Sequence, residues 1–136
     1  MEKWTQDEAI AFECAREAIT DLMAIYTRRI ADESESSVPD ANLMAEWEAA
    51  RDKLADERAG LHVEYHAEIA RIRAEYGQII RTWRADRRRR EDAVNFARAS
   101  ISLEGFQTSK EDEDHARRFI NGEIELVDFL KVEHAA

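Results

Sequence analysis

A hydroxyl residue, three intervening positions, a glutamate and a glycine, Ser100-Ile101-Ser102-Leu103-Glu104-Gly105, fall where a helical pattern runs out. A carboxylate presented at a helix end can pair with an arginine in another protein's phosphate-binding cleft and so compete with a nucleotide phosphate. Taken alone, the same six residues also describe an ordinary exposed glutamate before a glycine cap, because short patterns recur by chance. Upstream stands the run Arg87-Arg88-Arg89-Arg90. It suits phosphate neutralisation on DNA, docking to an acidic face of a partner, or a solvated helix surface. Neither interleaved aromatics nor a helix-turn-helix pattern accompanies it, so DNA contact is at most a weak, secondary role. His62 and His66 stand one helical turn apart, but His-Val-Glu-Tyr-His is not the His-Glu-x-x-His order of a metalloprotease and no third ligand is evident. We therefore assign no metal and no other cofactor. Trp4, Trp47, Trp83, Tyr65 and Tyr76 fit interface anchors and core packing equally well. With no glycine-rich phosphate loop, nucleophile elbow or triad pattern, the chain reads as an inhibitor rather than an enzyme.

The run Ala99–Gly105 resembles the inhibitory motif of the small antitoxins that silence Fic-type AMP-transferases. The resemblance to the VbhA-like antitoxin domain extends to Arg87–Arg90, to Asp92-Ala93-Val94-Asn95-Phe96-Ala97 and to Arg118-Phe119-Ile120-Asn121-Gly122-Glu123-Ile124, in the same order, covering roughly residues 87 to 131. It implies that Glu104 engages an arginine that otherwise holds the γ-phosphate of ATP, and that Ser100 anchors the motif, with Gly105 completing it. Phe96, Leu103 and Arg87 to Arg90 are then candidates for contact with the toxin. The first 86 residues lie outside the resemblance.

The elements that must position this motif are helical. One proline and four glycines interrupt 136 residues dominated by Ala, Glu, Arg and Leu, so the class is all-α. The length accommodates one ordinary domain, or a small domain with an extended helical arm. Charged residues make up 37% of the chain and the net charge is −10; such a surface disfavours coating DNA and suits a basic partner. A single Cys14 excludes a disulfide within one chain, making a cytoplasmic setting the expectation. No apolar stretch approaches the ~20 residues needed to span a bilayer, and no export signal is evident.

Thr5 and Glu8 form a capping box that predicts a helix starting near Gln6. Its apolar positions are Ile10, Phe12, Cys14, Ile19, Leu22, Met23, Tyr26 and Ile30, fading at Asp32. Residues 32–40, rich in Ser and Glu and carrying Pro39, read as a connecting loop. Leu43, Trp47, Ala50, Leu54, Leu61, Tyr65, Ile69, Ile72, Tyr76, Ile79 and Trp83 then recur at steps of three and four, predicting one long helix packed antiparallel on the first. Two successive four-residue steps between Leu61 and Ile69 break the heptad count. Beyond a stretch with six arginines between positions 81 and 90, a short helix carrying Ala93, Phe96, Ala97 and Ile101 leads to Gly105 as C-terminal cap. Thr108 or Ser109 caps the next helix, whose first turn holds Glu111 to Asp114; Asn121-Gly122 ends it, and Glu123 to Leu130 form a last one. The expected architecture is a coiled-coil-like helical hairpin over residues 1–86 and a small three-helix VbhA-like domain over residues 87–136.

The function expected is the antitoxin of a bacterial type II toxin–antitoxin pair that binds its toxin and blocks the ATP site, the toxin being a Fic-type AMP-transferase. Two other readings stand beside it. One is an antitoxin of a zeta-type P-loop kinase, inhibited through the N-terminal helices; the other is a homodimeric coiled-coil module whose motif match is accidental.

Overall fold

A computed structural model of the chain describes residues 4–103, 105, 109–126 and 129. Among them there are four helices, α1 (Gln6–Ser34), α2 (Ala41–Gly60), α3 (His66–Leu103) and α4 (Lys110–Ile120), and no strand. The all-α expectation holds. The chain divides into two compact units, one of residues 1–35 and 39–82, the other of Ser36–Val38 and residues 83–136.

In the first unit α1 begins where its cap places it. The Thr5 hydroxyl accepts from the Glu8 N–H at 3.1 Å and the Glu8 carboxylate takes the Thr5 N–H at 3.2 Å, satisfying two amides that a helix start leaves without partners. Arg51 of α2 donates to Thr27 at 3.1 Å and Arg58 to Thr20 at 2.9 Å, so α2 runs back along α1. Ala15, Ile19, Leu22 and Ile25 of α1 are buried together with Leu54, Leu61, Val63, Ile69, Ile72 and Ile80. Ile10, one of the expected core positions, is exposed, because the buried stripe is set by the 15–19–22 spacing and residue 10 lies off it.

The single long helix expected over residues 43–83 is instead two. α2 ends at Gly60, Leu61 is extended at φ −77°, ψ 135°, and α3 starts at His66. Leu61 and Val63 are buried while His62, Glu64 and Tyr65 are exposed, an alternation that suits extended chain and would break a helical stripe. The two successive four-residue steps mark this place. α3 then sets off beside the start of α1, His66 Nε2 lying 2.8 Å from Glu8 Oε2. It is fastened to α2 by Tyr76, which donates to Glu57 at 2.6 Å, and by Arg71, which contacts Glu57, Glu68 and Glu75. Hydrogen bonds to Glu68 and Glu75 raise the Arg71 pKa, and burial followed by the Glu57 acceptor raises that of Tyr76.

The second unit starts inside α3, which continues without interruption to Leu103; the separate short helix expected before the motif is the end of this helix. Ser109 caps α4 through a capping box with Asp112. α4 stops in a Schellman arrangement, the Gly122 N–H bonding Phe119 O at 3.1 Å and the Glu123 N–H bonding Arg118 O at 2.9 Å, with Gly122 at φ +77°, a conformation glycine adopts without steric cost. Val94, Ala116, Phe119 and Phe129 form the core, with Ile120 and Ile124 half-buried against it. The Phe119 and Phe129 rings stack at 4.8 Å. Thr108, and residues 127, 128 and 130 of the last expected helix, lie outside the described residues; Glu123 to Glu125 are not helical, and the Phe129 N–H bonds Glu125 O at 3.0 Å.

Candidate functional site

The helical period assigns the C-terminal half of α3 two different jobs. Arg87, Arg90, Val94 and Arg98 recur at spacings of three and four and face the core of the second unit. Arg87, its side chain 13% exposed, lies over the Trp83 ring at 5.3 Å, pairs with Glu91 at 3.1 Å and donates to the Asn121 side chain. Arg90 is more committed still. Its guanidinium binds Asp86 at 2.8 Å, donates to Phe119 O at 2.7 Å and Ile124 O at 3.0 Å, and lies over the Phe119 ring at 4.9 Å. It thereby donates to a carbonyl in the last turn of α4, which also takes the Gly122 N–H, and to one just beyond that helix. Arg98 pairs with Glu113 of α4.

The opposite face points to solvent. Arg88 is exposed, and the Arg89 side chain is 77% exposed with only a 3.4 Å contact to Asp86. Phe96 is 77% exposed, unusual for a phenylalanine in a folded domain. One turn on, Ser100 is exposed and its hydroxyl donates to Phe96 O at 3.1 Å, so it is held on its own helix. Arg89, Phe96 and Ser100 share one face. Thus the structure separates the arginine run into Arg87 and Arg90, which pack into the second unit, and Arg88 and Arg89, which are exposed.

Gly105 has φ +83°, with no heavy atom within 4 Å of where a Cβ would be. The demand for glycine there is conformational rather than spatial. Glu104 and the Leu103 side chain, both singled out from the sequence, lie outside the described residues. Asp114, which by sequence is one of a run of acidic residues opening α4, is 4% exposed. Its Oδ2 accepts the Ser37 N–H at 2.5 Å and its Oδ1 pairs with Arg117 at 3.0 Å. Burial pushes its pKa up, but Ser37, Arg117 and Lys110 outweigh that and leave it below the ordinary value of 3.8. Nothing in the sequence marks Asp114 apart from its acidic neighbours.

The histidine pair is not brought to a common point. His66 binds Glu8, whose carboxyl is held below its ordinary value by the Thr5 backbone and then by His66. His62 meets Tyr65 edge-on at 5.0 Å. Among the described residues no group of three or more His, Cys, Asp or Glu could hold a metal ion, and no helix is long and apolar enough to cross a membrane. Of the aromatics, Trp47, Trp83 and Tyr76 are half-buried, while Trp4 and Tyr65 are exposed.

The family model described as Antitoxin VbhA matches residues 90–131, and the N-terminal region has no family assignment. No curated protein and no solved structure matches the chain. The match supports an antitoxin role with a toxin as partner.

Proposed function

We propose that this chain is the antitoxin of a toxin–antitoxin pair and that its C-terminal unit closes the ATP site of a Fic-type AMP-transferase. The match of residues 90–131 to the VbhA antitoxin family carries the reading. Ser100, Glu104 and Gly105 stand in the order of the inhibitory motif. Gly105 has a left-handed backbone, and a carboxylate in such a motif can take the arginine that would otherwise hold a nucleotide phosphate. Phe96 and Arg89, on the exposed face of α3 that leads into the motif, supply an apolar anchor and a charge for the same partner. Co-expression with the toxin tests the proposal. Glu104→Gly is expected to leave the complex intact while restoring AMP transfer to the toxin's target; undiminished inhibition by this variant overturns the Fic mechanism.

A further inference from the structure

The family match starts at residue 90, but the compact unit that contains it also takes in Ser36–Val38, from the connection between α1 and α2. What joins this segment to the rest is a buried acid. Asp114 is in the second turn of α4, between the half-buried Glu113 and His115. A carboxylate removed from water needs partners for both oxygens. Arg117, one turn along the same helix, pairs electrostatically with Oδ1 at 3.0 Å without hydrogen-bonding it, whereas Oδ2 accepts the Ser37 backbone N–H at 2.5 Å. Pro39 and the α2 N-cap Asp40, whose side chain accepts from the Leu43 N–H at 3.1 Å, fix the chain just after the segment. Its path is therefore restrained on the side that leads away.

We infer that residues 36–38 are a working part of the inhibitory unit, a strap whose Ser37 amide clamps Asp114 and so holds α4 against α3. Asp114 is in this sense a positioning residue: it fixes the helix whose Ala116 and Phe119 pack on Val94, two residues before Phe96. Hydrogen bonds to charged groups are roughly twice as strong as neutral ones, and loss of one is of the size that changes a local opening equilibrium about tenfold. The inhibitor is thus larger than the family-matched stretch, and the loop between the first two helices controls how firmly its last helices are seated. Only the consequence for inhibition rests on the antitoxin reading.

The test uses the full chain. Ser37→Pro removes a single N–H donor and Asp114→Ala removes the acceptor, and hydrogen exchange is followed peptide by peptide. Exchange in α4 is expected to rise at least about tenfold in both variants while α2 keeps its protection, and Ser37→Ala, which retains the amide, is expected to change it less. Unchanged α4 exchange in both Ser37→Pro and Asp114→Ala overturns the strap. This readout needs no toxin, so it is independent of the antitoxin reading, whose own failure would show as a wild-type chain that inhibits no Fic enzyme.

Discussion

Arg90 shows how one residue type serves opposite ends within a run of four. Its sequence neighbours are chemically identical, and only the phase of α3 against α4 decides that Arg87 and Arg90 turn inward while Arg88 and Arg89 do not. That phase was not legible in the arginine run, because four consecutive like residues carry no periodicity. Arg90→Ala strips a charged donor from two carbonyls, of Phe119, which keeps the Gly122 N–H, and of Ile124, and losing a hydrogen bond from a charged group costs about 1.5–3 kcal/mol. We expect chemical denaturation to show a loss of that size, and Arg88→Ala to be neutral within about 0.5 kcal/mol. The buried Asp114 has a pH consequence. Its carboxyl titrates below the ordinary 3.8 in the folded chain, so the unfolded state takes up a proton first as pH falls. The stability it contributes is complete above its unfolded value and disappears as pH drops through the folded one. Thermal melts between about pH 5 and pH 2 should therefore fall less steeply in Asp114→Asn than in the wild type; parallel curves would show that Asp114 contributes nothing to acid unfolding.

At the scale of elements, caps and terminators were the legible features. Thr5 with Glu8, Ser109, Gly105 and Asn121-Gly122 each act as their side chains or conformational freedom require, since these are local effects that a few neighbouring residues determine. Apolar periodicity was less decisive. Leu61, Tyr65 and Ile69 continue the spacing of a helix, but Leu61 and Val63 bury where a helix would place them on different faces, and that choice is made by the surface of α1, far away in sequence. The break is consequently held by burial rather than by turn residues, Gly60 having nothing within 4 Å of its missing Cβ. Leu61→Ala should cost about 2 kcal/mol or more, in the range of large-to-small core substitutions, and should speed exchange at the start of α3. Gly60→Ala should be tolerated or slightly stabilising, since alanine outranks glycine as a helix former. A neutral Leu61→Ala would mean that the connection is not pinned by its apolar residues.

For the whole molecule, charge and the exposed aromatic act on different halves of a binding equilibrium. The chain carries a net −10, and a long-range field of that size steers an oppositely charged partner at encounter, an effect screened over about 8–10 Å at physiological salt. Phe96 is a single apolar side chain, 77% exposed, whose burial takes place only after contact. It cannot steer, but it can retain, because apolar anchors at an interface centre act mainly on dissociation. The sequence displayed both features. It did not show that Phe96 is exposed, since an aromatic at helical spacing is as readily core as surface, and only the placement of Val94 and Phe119 on the other side of α3 brings it to the surface. Measured by surface-captured binding kinetics with the purified toxin, raising the salt from about 50 to 500 mM should slow association while changing dissociation little. Phe96→Ser should do the reverse, accelerating dissociation by tenfold or more with the fold unchanged. If Phe96→Ser leaves dissociation untouched, the exposed face of α3 is not the toxin-binding face and the partner is held elsewhere on the chain.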